Sequence, residues 1–284
     1  SVALDVVAEV RERHAAVQAQ DELAALVRER RALLERLLDI ARSRLEAGEG
    51  TRLDVTTLET QAIEFDLELE EREAERRRER LSLARRIGRP SEEASWKLAE
   101  RIEPPATGVD ERDWIARALE ARPEIQVLRW KLGALGEEAG LARWEVFAGT
   151  EVGLAFNREG GDALGPALST PLPLLDLGSA RRRAALAAVL EVQSELVGTR
   201  RGVVEEVRRA LGDLESARSR LARVEERLLP LELQRRSQVE EVFLSGQVDV
   251  TALLFAEQGL QAALTRRVEL ATELVNAWSR LERA

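Results

Sequence analysis

One short arrangement occurs twice in this chain, and it restricts the possible folds more than any other feature. A helical pattern runs into the turn Gly48-Glu49-Gly50, Leu53-Asp54-Val55 follows, and a second helical pattern begins. The same order returns at Ser245-Gly246-Gln247 and Val248-Asp249-Val250. Asp54 and Asp249 are 195 residues apart. Each copy is the tip of a helix-turn-helix, so two long α-hairpins related by internal duplication are expected.

The composition suits long, thin helices better than a globule. Charged residues make up 33% and aromatics 4%, with no Tyr, as expected of helices that pack along narrow seams. A net charge of −9 argues against nucleic acid as the main partner, because phosphate binding needs a basic face. There is no Cys, which excludes disulfides and thiolate metal sites, and the single His14 with no Met leaves only carboxylates as ligands. No stretch approaches the roughly 20 apolar residues of a membrane-spanning helix. The chain opens on Ser and not Met, so its start is expected inside a longer protein or at a processed end.

The first hairpin is expected over residues 1–88. Leu23, Leu26, Val27, Leu33, Leu34, Leu37, Leu38 and Leu45 make an apolar seam on its first helix. Val55, Leu58, Ala62, Phe65 and Leu69 step by three and four along its second. Glu70 to Arg80 is nearly all charge and predicts a solvated face laced by ion pairs four residues apart. An irregular connection over 89–112 contains Pro90, Pro104, Pro105 and Gly108, with Trp96 and Trp114 as its expected anchors. A helical segment over 113–145 is interrupted near Arg122-Pro123, since proline can begin a helix but not continue one.

At 146 the period changes to two. Val146, Val152, Leu154 and Phe156 alternate with small or polar residues, and after turn residues the alternation resumes through Leu164, Leu168 and Leu172. This predicts a strand pair within 146–175. Each run is about eleven residues, enough for a tilted strand to cross a bilayer; a soluble hairpin on a helix gives the same pattern. The second long hairpin is expected over 176–284. Val207, Leu214, Leu221 and Leu228 recur every seventh position, as do Ala210, Ala217, Val224 and Leu231, which predicts a left-handed coiled coil gently kinked at Pro230. Leu253, Leu260, Leu274 and Leu281, with Ala256, Ala263, Leu270 and Ala277, form the returning rows.

Nothing reads as a catalytic constellation. There is no Cys nucleophile and no Gly-rich phosphate loop, and His14 sits in ordinary helical sequence. Glu205-Glu206 and Glu240-Glu241 read as solvated helix faces. The expectation is a protein that is not an enzyme, without cofactor or metal. Asp54 and Asp249 each stand where a helix begins and read as N-caps.

Several segments, in order, resemble one family. They are Arg44-Leu45-Glu46-Ala47-Gly48, Leu53-Asp54-Val55, Ala84 to Pro90, Ala121-Arg122-Pro123-Glu124-Ile125, and the run Leu168 to Gly178 with its Pro171-Leu172-Pro173 core. Together they resemble the TolC family of outer-membrane efflux proteins, the Pro-Leu-Pro form being nearest to its heavy-metal branch. The resemblance implies a mainly α fold of long antiparallel coiled-coil hairpins, with a strand pair contributing to a transmembrane β-barrel shared by a homotrimer. It implies a passive exit duct for metals or small toxic compounds in a tripartite efflux or type I secretion system. The partners would be a periplasmic adaptor (membrane fusion) protein, an inner-membrane pump and outer-membrane lipid. Most of the chain would lie in the periplasm.

The same resemblance assigns residues. Val146, Val152, Leu154, Phe156, Leu168 and Leu172 would face outward on the barrel. Asp249, and more loosely Asp54, would sit at the closed periplasmic tip, with Arg52, Gly48, Gly50 and Gly246 shaping or gating it. The family's barrel takes four strands from each protomer, so a further helix and strand pair are expected ahead of Ser1. Trp144 to Ala148 lacks the proline that the family places before the strand. A coiled-coil periplasmic scaffold or adaptor without a pore is the alternative from another class.

Overall fold

The computed structural model describes residues 2–89, 96–99, 104–105, 110–141, 151–157, 163–169 and 179–284. They belong to two compact units: residues 1–108 with 208–284, and residues 109–207.

In the first unit, α1 (Val2–Glu46) and α2 (Arg52–Arg86) form one antiparallel hairpin. The end of α5 (Ser179–Arg223), a π-turn (Val224–Leu228) and α6 (Leu229–Leu244) run to the second tip, and α7 (Val250–Arg283) returns. The hairpins join along α1 and α7. Ala19 and Leu23 pack with Val268 in mid-bundle. Nearer the turns, Leu34, Leu37 and Ala41 share one apolar cluster with Val55, Leu58, Phe65, Phe243, Val250, Leu253 and Leu254.

The heptad rows are buried as expected up to Val224, with Leu221 half-buried, and then slip. Ala210, Ala217 and Val224 are buried, but Leu231, the next member of that row, is 63% exposed and Leu228 is also exposed. Buried Leu229 takes the seam, followed seven and fourteen positions later by Arg236 and Phe243. A π-turn holds more residues than an α-turn, so the seam advances by five positions there and then resumes its heptad. Near the expected kink at Pro230 the structure has a register slip that begins six residues earlier.

The charge run of α2 also differs from expectation. Pairs within the helix exist, Arg72–Glu68 and Arg78–Glu75. Other charges of the run, Glu73, Arg76, Glu79 and Arg80, reach across to α1. Arg76 and Arg80 both hold Asp21, Arg13 pairs with Glu79 at 3.3 Å, and Arg28 with Glu73 at 3.2 Å. Arg31 meets Asp66 at 2.7 Å and Arg42 meets Glu59 at 2.8 Å. Arg80 additionally stacks on Trp96 and donates to its carbonyl at 2.9 Å, tying the connection to the hairpin.

The second unit contains α3 (Glu111–Ala121), α4 (Pro123–Leu141), a two-stranded ribbon and the first part of α5. The helix break falls at Arg122, whose guanidinium pairs with Glu206 at 2.7 Å, and Pro123 opens α4. Strands β1 (Glu151–Asn157) and β2 (Ala163–Ser169) pair antiparallel. The register sets Val152, Leu154 and Phe156 opposite Leu168, Pro166 and Leu164, so these positions share one face. Each described strand has seven residues; Val146 and Leu172 lie outside the described residues.

Candidate functional site

Both repeat copies close with the same local chemistry. After α1, the Gly48 N–H donates to the Leu45 carbonyl and the Glu49 N–H to Arg44; after α6, Gly246 donates to Phe243 and Gln247 to Val242. This is the paired bonding of a Schellman motif, which needs a residue in the left-handed region. Gly48 at φ 77° and Gly246 at φ 75° supply it without a Cβ penalty. Gly50 is required for closeness: its N–H reaches Arg44 at 3.0 Å, and a Cβ there would come within 3.0 Å of the Leu45 nitrogen.

The next helices are capped differently, and this corrects the repeat alignment. Asp249 is the N-cap of α7, accepting the Ala252 N–H at 3.1 Å. Asp54 is not an N-cap. Thr51 caps α2 by accepting the Asp54 N–H at 3.1 Å, while the Asp54 carboxylate accepts the Thr51 N–H at 3.1 Å and its hydroxyl at 2.7 Å. That reciprocal pair is a capping box. The structural repeat thus equates Gly48 with Gly246 and Thr51 with Asp249, each pair 198 positions apart. The two aspartates occupy different places in their turns.

The tips meet at a cleft of about 400 Å³ lined by Arg44, Glu49, Asp54, Phe243, Asp249 and their neighbours, including Gly50 and Gly246. Arg44 organises it. Its guanidinium lies 5.1 Å from the Phe243 ring centroid and donates to the carbonyls of Leu244 at 3.3 Å and Phe243 at 3.5 Å. A cation at the C-terminal end of α6 adds a partner to its last carbonyls and favours its dipole. Arg52, expected to influence the tip aspartates, is exposed on the first turn of α2 and bonds neither of them among the described residues.

Arg44, Phe243 and Thr51 were missed by sequence reading. Thr51 stands three residues before Asp54, so its signal was present as a capping-box pattern. Arg44 and Phe243 come together from positions 199 apart, and no local pattern marks such a contact.

A second charged group lies farther from the turns. Glu257 of α7, only 8% exposed, pairs with Arg236 of α6 at 2.5 Å. Arg30 of α1 stacks on Phe65 at 4.1 Å. Burial holds the Arg30 guanidinium below the usual arginine value, opposed by the charges of Glu68 and Glu257. Among the described residues, no group of three or more His, Cys, Asp or Glu could hold a metal, and no helix is long and apolar enough to cross a membrane.

Several solved outer-membrane channels share this arrangement. The outer-membrane channel OprN matches 99% of this chain at a TM-score of 0.75 and 21% identity, the match covering 65% of OprN. The chain has the fold of an outer-membrane channel. VceC of Vibrio cholerae matches with TM-score 0.74 at 17% identity, covering 98% of this chain and 69% of that one. CusC, described for its transmembrane channel formation, gives TM-score 0.74 at 17% identity over 99% of this chain and 68% of its own. The chain therefore spans about two thirds of the length of these channels. No family model matches it, and no curated protein matches it in sequence. The fold implied by the resemblance at the helical hairpins is the fold found.

Proposed function

We propose that this chain is the larger part of one protomer of a TolC-type outer-membrane export channel. The observation that carries this is the match to outer-membrane channels over nearly the whole chain, both hairpins included. In this reading three copies assemble around a shared axis. Residues 146–175 contribute to a transmembrane barrel in outer-membrane lipid, and the face carrying Val152, Leu154, Phe156 and Leu168 turns outward, together with Val146 and Leu172. The helical hairpins cross the periplasm. The protein performs no chemistry: an inner-membrane pump supplies the energy, a periplasmic adaptor connects the two, and metals or small toxic compounds pass through.

The cleft between the tips then lies at the periplasmic mouth. Three-fold symmetry would gather the Asp249 carboxylates near the axis, where like charges repel and a cation is attracted. Capping and gating are compatible, because one oxygen can accept the Ala252 N–H while the other faces the passage.

The test is conductance of the protein reconstituted in a planar bilayer, after outer-membrane fractionation. Trimeric, membrane-extracted protein with a defined conductance is expected. Recovery as a soluble periplasmic protein that does not conduct would overturn the reading in favour of a scaffold. Asp249→Asn retains a capping oxygen and removes the charge, so it should raise conductance and relieve cation block. Unchanged conductance and block would remove Asp249 from the gate.

A further inference from the structure

The second unit carries an unbalanced positive charge at one end. Its helices α4 and α5 run antiparallel, since Arg122 pairs with Glu206 at 2.7 Å and Lys131 with Glu195 at 3.8 Å. The end of α4 therefore lies beside the start of α5, and there Glu138 and Leu141 share a groove of about 510 Å³ with Arg181 and Ala185. Both connections to the ribbon leave from this end. Leu141 stands ten positions before Glu151 of β1, and Ser179 ten after Ser169 of β2, so no more than about 35 Å of extended chain separates either helix from its strand. From Ser179 to Leu190 the sequence has three consecutive arginines and no acid; Glu191 is the next one along the helix. Arg181, Arg182 and Arg183 are all exposed. Glu138 lines the groove with Arg181, but among the described residues neither Arg182 nor Arg183 has a carboxylate partner. Arg183 donates from Nε to the Ser179 carbonyl at 3.2 Å, which draws its guanidinium back toward the ribbon side.

We propose that this end of the second unit docks on the anionic headgroups of a phospholipid bilayer, with Arg182 and Arg183 taking the phosphates. The inference rests on the channel reading, which puts the strand pair in the membrane and so brings these helix ends to its periplasmic leaflet. Charge complementarity carries the choice of partner. A guanidinium is weakly hydrated and meets phosphate oxygens through two parallel N–H bonds. Each arginine held near an anionic lipid surface strengthens binding about fivefold. The chain as a whole is acidic, at −9, so the attraction is local to this end and the rest of the molecule does not share it. Leu141 at the same end is 66% exposed and suits the apolar boundary beneath the phosphates, while long arginine stems can lie over apolar surface with their charge in the headgroups. A trimer would repeat the surface three times around one barrel, which fits a continuous headgroup layer better than a single dissolved anion.

Lipid retention by the purified full chain tests the surface. The protein in a zwitterionic detergent is titrated with phosphatidylglycerol or with phosphatidylcholine of the same acyl chains, and bound lipid is counted by native mass spectrometry. Phosphatidylglycerol should be retained at least about tenfold better, since two arginines at about fivefold each favour it. Arg182→Gln with Arg183→Gln keeps good helix formers on an exposed face and should remove most of that preference. Arg200→Gln with Arg201→Gln, an exposed pair 18 positions farther along α5 and so about 27 Å away, should leave it unchanged. Equal retention of the two lipids by the wild-type protein, or equal losses from the two double variants, would overturn the inference. Millimolar inorganic phosphate should not displace the lipid; displacement would make this a site for a free anion and overturn it too. Conductance in a planar bilayer separates this inference from the reading beneath it. A conducting protein without the preference overturns the headgroup surface alone, whereas one that neither conducts nor retains lipid overturns both.

Discussion

Helices α2 and α7 occupy matching places in the two hairpins, yet they are held by different forces. Between Phe65 and Leu83, α2 buries no side chain fully, and its hold on α1 there comes from arginines reaching across to Asp21, Glu73 and Glu79. Helix α7 buries a nearly continuous row from Val250 to Leu281, with Ala256, Ala263 and Ala277 allowing close approach. Exposed ion pairs add little each and are screened by salt. Apolar burial adds about 25 cal/mol per Å² and is indifferent to it. One architecture is thus closed by an ionic ladder on one side and an apolar seam on the other. Among the described residues the one buried carboxylate, Glu257, lies on the apolar side.

Substitutions can break or sharpen this contrast. A loss of about 3 kcal/mol is expected for Glu257→Ala by denaturant titration, because it removes the buried one of two carboxylates that hold Arg236 and leaves only the more exposed Glu240. Asp66→Ala in the ladder should cost no more than about 1 kcal/mol despite its short pair. Equal losses would mean that the ladder is not an exposed one. Next comes Leu253→Ala, 1% exposed in wild type, at about 2–5 kcal/mol. Leu67→Ala on α2, 61% exposed, should stay within about 0.5 kcal/mol. A large cost at Leu67 would show that its face is covered in the assembled protein. Removing the caps should cost about 1 kcal/mol each for Thr51→Ala and Asp249→Ala. A loss at Asp249 with none at Thr51 would undo the equivalence of the two turns. Smallest is the response to salt. Between 0.1 and 1 M, where the Debye length falls from about 10 to about 3 Å, amide exchange over 66–80 should quicken by less than about tenfold. Helix α7, whose pairs to Arg220, Glu12 and Asp5 flank a buried apolar row, should respond less. Equal responses would erase the distinction.

Much of this architecture was legible because helices and strands impose different periods on a sequence. Spacings of three and four at Val55, Leu58, Ala62 and Phe65, and the alternation around Val152, identify their elements without reference to any neighbour. The two turns were legible for a related reason, since a chain that reverses after a long helix needs Gly48 or Gly246 in the left-handed region. The candidate site was legible only in part. Asp54 and Asp249 were found, but Asp54 is the N3 residue of a capping box and Thr51 is the counterpart of Asp249. A turn motif read as letters aligned Asp with Asp; hydrogen bonding aligned cap with cap.

The amino-acid sequence alone therefore determined two long hairpins, a strand pair between them and glycine turns at both tips, because backbone sterics and hydrophobic period act over a few residues. The tertiary structure decided the rest. It carried Glu73, Arg76, Glu79 and Arg80 of the charge run across the hairpin, because their partners on α1 lie many positions away in sequence. It shifted the seam from Leu231 to Leu229, because a π-turn changes which face meets α7. It also set Arg44 over Phe243, since contacts between positions some 200 apart exist only once both hairpins have packed.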